Sequence, residues 1–460
     1  MHVESARVLV PAATGLALRN VLRTDLPLEL GRRGLEPVFL VPGALAARLR
    51  EEDLRAPGVV DVLPEARHHA GEVALRDLAF SVVQRRHALA TIEIRRQLAA
   101  RGRPRRPLKE RVAPLLGSSW TLYHVVDGVR RTLYRAPEMQ AVLDRCRPAA
   151  VFANNVFHPA EAALLRRAQR AHVPTVGMVH SWDNPSNKGQ LPARPDRLLV
   201  WGDVMRAEMR DYFRFPDARI ECVGTPQFDV YARPLATTRA DLLAHYGFAP
   251  GTRLVLYATG SPGHCPWEPD YARRLLALVR SEHGRGPLGL VVRLHPRDRA
   301  ERYAHLASAA ELRLETAGRA DDEMDDRFNP TADDHAHFAA LIRHADVVVN
   351  LASTVALDAA ANDRPIVHVR YDVEPGRAYL DSVERLFDYT HTARLLACGA
   401  SEVARSPEEL DAAVLRCLDD PARHHAARRA LAAQEGFDGT GRSAERIADV
   451  VARVARRSAG

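Results

Sequence analysis

The chain has 460 residues, 46% of them hydrophobic and 27% charged, with a net charge of +7 and a pI near 9.4. That is the make-up of a soluble globular protein long enough for two cores rather than one. It excludes a disordered chain, and five cysteines (Cys146, Cys222, Cys265, Cys398, Cys417) scattered without a CxxC pair argue against a disulfide frame or a zinc site. The N-terminus carries Glu4 and Arg7 and lacks a secretory h-region. Apolar runs stop well short of the about 20 residues a membrane span needs, so a cytoplasmic location is expected.

In chain order, apolar runs rich in β-branched residues alternate with helical patterns. The first half offers strands at ARVLVPA (6–12), PVFLVP (37–42), AAVFAN (149–154), PTVGMV (174–179), RLLVWG (197–202) and RIECVG (219–224), with helices between them. This is the βαβ rhythm of a parallel sheet. A stretch from about 71 to 136 reads as a mainly helical insertion. Within it, eight basic residues fall between Arg95 and Arg111; they read either as a solvated helix end or as a peripheral contact with the anionic inner face of a membrane. Interleaved aromatics are missing, so no nucleic acid is expected.

Near residue 235 the rhythm restarts with RLVLYATG (253–260), LGLVVRLHP (288–296), LRLET (312–316), ADVVVN (345–350) and PIVHVR (365–370). The acidic segment ADDEMDDRFNPTADDHAHF (320–338) reads as a mobile loop entering a helix, with no rigid strand to organise a metal site. From Ser406 and Pro407, a cap and first-turn pair, the rest is helical. The expected division is an N-terminal domain over 1–235, a second domain over 236–435 and a C-terminal helix over 436–460.

Two α/β domains of doubly wound, Rossmann-like type, facing a cleft and followed by C-terminal helices, make up the GT-B architecture of glycosyltransferases. VVRLHPRD, ADVVVNLASTVALDAAANDRPIVHV, SPEELDAAV and FDGTGRSAERI resemble the CDP-glycerol glycerophosphotransferase and capsule or teichoic-acid transferase group, over roughly 150–450. HSWDNPSNKG (180–189) resembles that group's strand-end loop ending in Lys-Gly and departs from it in its Trp-Asp-Asn middle. The resemblance implies transfer of a glycosyl or polyol-phosphate group from a nucleotide-sugar or CDP-polyol donor to a cell-surface glycan or lipid-linked acceptor; no metal or organic cofactor is expected, because a helix dipole and basic side chains can replace a cation at the diphosphate.

On the donor side, Ser353 and Thr354 follow a strand and open a helix, where free N–H groups suit phosphate. Asp358, one turn on, faces the same way and suits ribose hydroxyls. Arg293 offers a fork for phosphate oxygens, and His295 can donate to or protonate the leaving group. Thr259, Gly260 and Ser261 form a small-residue loop after a strand. Lys188 is one of two lysines beside 63 arginines, and a compact ammonium there would neutralise the leaving diphosphate. On the acceptor side stand Gly15, Asn20, Asn154, Trp182 and Asn184, Trp182 as a sugar-stacking ring or as loop packing. Asp183, His158 and His180 are candidates for the catalytic base.

Two other functions fit. A sugar-nucleotide 2-epimerase has the same architecture, although GTRPE-like and HRREN-like motifs are missing here. A catalytically inert sugar-nucleotide or glycan-binding module is the other.

Overall fold

The computed structural model describes residues 6–47, 49, 58–66, 70–101, 119–282, 286–320, 326 and 328–456. These form two compact units, one made of the residues before Phe228 together with those from Arg442 onward, the other Phe228–Gly441.

The first unit is built on β1 (Ala6–Pro11), β2 (Leu35–Val41), β3 (Val59–Val62), β4 (Ala150–Ala153), β5 (Thr175–Met178), β6 (Arg197–Val200) and β7 (Ile220–Cys222). The strands are all parallel in the order β3-β2-β1-β4-β5-β6-β7. β4 and β5 are buried at every position, as expected for a parallel sheet covered on both faces. Strand order reverses between β1 and β4. Ligands of open α/β sheets bind outside the carboxyl ends of the strands at such a switch point.

The second unit has β8 (Arg253–Ala258), β9 (Leu288–Leu294), β10 (Leu312–Thr316), β11 (Arg319–Ala320), β12 (Phe328–Asn329), β13 (Val347–Asn350), β14 (Ile366–Val369) and β15 (Glu402–Ala404). Six form a parallel sheet in the order β10-β9-β8-β13-β14-β15, and β11 pairs antiparallel with β12. Here the switch point lies between β8 and β13. Each expected strand is present; β3, β11, β12 and β15 are additional.

The C-terminal helix Ser443–Arg456 follows the second unit in sequence but packs in the first. Its buried stripe of Ile447, Val450, Val451 and Val454 follows helical period, and Arg33–Asp449 (2.8 Å) and Arg453–Glu221 (2.6 Å) flank it.

The insertion comprises helices Ala70–His87, Ala90–Ala100 and Trp120–Leu133 among its described residues. A buried charge cluster fastens it. Arg130 reaches Asp127 (2.6 Å), Glu72 (3.0 Å) and the carbonyls of Leu191 (3.0 Å) and Pro192 (2.9 Å). Removing one partner from such a network strands a buried charge, which costs about 3–5 kcal/mol. Of the basic run, Arg103–Arg111 lie outside the described residues. Arg95 is engaged by Asn187, including its carbonyl at 2.7 Å, and Arg96 pairs with Glu93 at 2.8 Å.

Residues 321–325 and 327 of the acidic segment also lie outside the described residues. Its later part enters the helix Ala332–His344 through a capping box between Thr331 and Asp334. No disulfide forms at any of the five cysteines. No helix among the described residues is long and apolar enough to cross a membrane.

Candidate functional site

In the first unit, three elements bring polar side chains to the carboxyl ends of the strands. β1 leads through Thr14, whose hydroxyl caps the helix Gly15–Leu22 by accepting from the Ala17 amide (3.1 Å). Gly15 is buried in that first turn. Asn20 of this helix and Asn154 at the end of β4 both direct amide nitrogens at His180 Nδ1, at 3.4 and 3.1 Å, with His180 just beyond β5.

Arg19 Nε donates to Asn20 Oδ1 (3.1 Å), which leaves the Asn20 nitrogen as the group facing the ring. Nδ1 is therefore an acceptor, and the imidazole proton sits on Nε2. Burial, with the nearby charges of Arg19 and Lys188, pushes the His180 pKa down to about 3. His180 is thus a neutral N–H donor. That corrects its candidacy as a base, since its one free ring nitrogen already carries the proton.

The HSWDNPSNKG loop folds into a short helix, Asn184–Asn187, with Asp183 ahead of it. Asp183 accepts from Asn187 Nδ2 (2.7 Å) and Asn184 Nδ2 (3.2 Å), so Asn184 positions this carboxylate. Lys188 follows, exposed. Trp182 is only 3% exposed, so its ring packs the loop and presents no face to a sugar; the stacking reading is corrected. His158 immediately precedes the helix Pro159–Arg170 and is half-buried.

A residue that the sequence reading passed over ties this together. Glu161, fully buried, accepts from the Ala13 amide (3.4 Å) after β1 and the Asn155 amide (2.7 Å) after β4. One carboxyl group thereby spans the switch point. Burial pushes its pKa up to about 8 against these hydrogen bonds. A Glu in the first turn of a helix is a common capping signal, and nothing local shows that it reaches back to two other strands.

The second unit uses the same device. Glu268, fully buried at the start of the helix Glu268–Ser281, accepts from Tyr257 and from the Gly260 amide (2.8 Å), and burial raises its pKa to about 7. A Cβ on Gly260 would lie 2.8 Å from Glu268 Oε1, which is why a glycine stands there. Thr259 Oγ1 accepts from the His295 amide (2.9 Å), joining the β8 and β9 loops. Ser261 closes the turn, its carbonyl accepting from the His264 amide (2.8 Å).

His295 Nδ1 accepts from the Arg297 amide (3.1 Å), so its proton also sits on Nε2. Burial, then Arg297, lowers its pKa to about 4. It can donate a hydrogen bond at neutral pH, which replaces the expectation that it protonates the leaving group. Arg293 departs from expectation as well. Its guanidinium pairs with Glu315, opposite it on β10, and lies 4.7 Å from the Phe338 ring centre, so its charge is committed inside the unit.

Beyond β13, Asn350 Oδ1 accepts from the Ser353 amide (3.2 Å), and Ser353 Oγ from the Val355 amide (3.4 Å). Thr354 stands exposed at the entry of a seven-residue helix, Val355–Ala361. Asp358 of this helix is buried and accepts from Tyr231 (2.6 Å). His368, paired with Asn350 across β13 and β14, donates from Nδ1 to the Leu351 carbonyl (2.8 Å), and burial lowers its pKa to about 4.

Among the described residues no group of three His, Cys, Asp or Glu side chains could hold a metal ion.

No protein-family model and no curated protein matches the chain. Solved structures do share its fold. A putative UDP-N-acetylglucosamine 2-epimerase from Listeria monocytogenes aligns with a TM-score of 0.58 at 14% identity, covering 98% of this chain and 97% of that one. The UDP-GlcNAc 2-epimerase from Neisseria meningitidis bound to UDP-GlcNAc aligns at 0.55 and 10%, covering 97% and 100%. A glycosyltransferase of kitacinnamycin aligns at 0.52 and 13%, covering 98% and 99%. The fold is therefore the two-domain, Rossmann-like GT-B architecture.

Proposed function

We propose that the chain is a nucleotide-sugar enzyme of GT-B type, and that it is a transferase moving a glycosyl or polyol-phosphate group from a nucleotide-diphosphate donor to a cell-surface glycan or lipid-linked acceptor. The observation that carries this reading is the pair of imidazoles, His180 and His295. Each lies beyond the carboxyl end of a strand one removed from its sheet's switch point, and each is fixed by amide donors at Nδ1 so that a neutral Nε2–H is presented. Fixed neutral donors suit a diphosphate or a developing oxyanion, which need hydrogen bonds more than a proton.

In this reading the second unit holds the donor with His295, Thr259, Gly260, Ser261, Ser353, Thr354 and Asp358, while Arg293 braces β9 from within. The first unit holds the acceptor with Asn20, Asn154 and the first turn at Gly15. Asp183 is the base, its orientation fixed by Asn184 and Asn187, with His158 as the second candidate. Lys188 is the exposed cation beside them.

The epimerase neighbours favour a second reading, 2-epimerisation of a sugar nucleotide. That reaction takes the C2 proton as the C1–O bond to the nucleotide breaks and returns a proton on the opposite face as that bond re-forms, so it needs proton-transfer groups around C2 and a hold on the departed nucleotide. Asp183 and His158 are the two groups of the first unit that could serve it, with His180 held as a donor beside them.

Incubating the purified chain with UDP-, CDP-, GDP- and TDP-sugars, with and without acceptors, tests both. Nucleotide release that requires an acceptor supports transfer. A C2 epimer formed from donor alone replaces transfer with epimerisation. Stabilisation by a nucleotide, about 2.7 kcal/mol at 100 times its Kd, without turnover across the panel, replaces both with a binding module.

A further inference from the structure

Nine large hydrophobic side chains are exposed among the described residues, and three of them stand on one helix, Trp120–Leu133: Val125 at 56%, Val129 at 45% and Leu133 at 60%. Their i, i+4, i+8 spacing keeps them on one face, a stripe of about 12 Å at 1.5 Å per residue. The opposite face of the helix is fastened by Tyr123, Val126, Asp127 and Arg130, all buried.

The charges around the stripe have one sign. Arg131 and Arg135 are exposed. Exposed Arg170 adds a third basic group, donating to the carbonyls of Arg131 (3.0 Å) and Thr132 (3.1 Å) at the helix end. The helix's single acidic residue, Asp127, is buried against Arg130 and Arg194.

We propose that this helix face is a docking surface for an anionic lipid bilayer, with Val125, Val129 and Leu133 entering the boundary between headgroups and acyl chains while Arg131, Arg135 and Arg170 meet lipid phosphates. An amphipathic helix with a basic rim binds a membrane surface in this way. A second copy of the chain fits poorly. Three side chains bury far less than the about 1,200 Å² of a stable interface, and self-pairing would set basic rims together with no exposed acid on the helix to answer them. The proposal moves the membrane contact away from Arg95, which Asn187 engages. It also stands apart from the proposed chemistry, because lipid binding is read without turnover.

Co-sedimentation of the full chain with sucrose-loaded vesicles, of phosphatidylcholine alone or with 30% phosphatidylglycerol as about one lipid in three, tests it. The expected result is binding that needs the anionic lipid, falls at least tenfold in the double variant Val129→Asp, Leu133→Asp, and loses its lipid preference in Arg131→Glu, Arg135→Glu. Val373→Asp, an exposed apolar position in the other unit, should bind as the parent does, and melting curves confirm that each variant is folded. Absence of vesicle binding by the parent overturns the proposal. So does undiminished binding by the folded stripe variant, and so does loss of binding only on changing Arg103, Arg105 and Arg106 to Glu.

Discussion

His180 owes its state to two amides. Asn154 and Asn20 can only donate to Nδ1 as they are placed, so the ring is neutral and its proton faces away from them. Asn154→Asp replaces a donor with an acceptor at the same place. A carboxylate there requires the proton on Nδ1 and favours the imidazolium, and an adjacent opposite charge moves a pKa by about 1–3 units. The expected outcome is an upward shift of the His180 titration and a move of the neutral tautomer to Nδ1–H, read from ¹⁵N shifts of labelled histidine. An unchanged tautomer would mean that the amides do not set it. At this scale the site was partly legible: the polar residues at strand ends were visible because strand ends are where such sheets bind ligands. Trp182 and Arg293 could not be read, because whether a ring or a guanidinium faces outward depends on what another strand or helix sets against it.

Loops at the switch points are shaped by carboxyl groups borne on helices. Glu161 takes the Ala13 and Asn155 amides, and Glu268 takes the Gly260 amide. Substituting Glu161→Ala leaves two buried N–H groups without an acceptor, at a cost of about 1–3 kcal/mol each. Hydrogen exchange should accelerate at Ala13 and Asn155 well before it changes in β1 and β4, and uniform acceleration through the sheet would point to a global role instead. The strands themselves read well from sequence because a parallel sheet demands unbroken apolar runs. β3 (VVDV) and β15 (EVA) escaped notice because edge strands of three or four residues carry too little pattern to separate from a loop.

Across the whole molecule, five buried groups set a pH profile. His180, His295 and His368 have pKa values pushed down from 6.5 to about 3, 4 and 4. The stability they contribute is present above pH 6.5 and lost as pH falls, because the unfolded chain takes up protons that the folded protein refuses. Glu161 and Glu268 are pushed up from 4.5 to about 8 and 7. Their contribution is complete below pH 4.5 and is lost as pH rises through 7 to 8. Between 4.5 and 6.5 the unfolded chain holds three extra histidine protons against two carboxyl protons in the folded protein, so stability rises with pH by one proton's worth, about 1.4 kcal/mol per unit. Above 6.5 only the carboxyl protons remain and the slope reverses, which places the maximum from these groups near pH 6.5. In the first unit His180 and Glu161 offset each other between 4.5 and 6.5, the lowered pKa values of His87 and His124 add a rise there, and Glu161 leaves a fall towards pH 8. Trp120, Trp182 and Trp201 belong to that unit and only Trp267 to the other, so tryptophan fluorescence during melting follows mainly the first. Melts from pH 4 to 9 should show that fall in the parent and lose it in Glu161→Gln, whose amide cannot ionise. A fall of the same size in the variant would assign it to other groups and leave Glu161 ionised throughout.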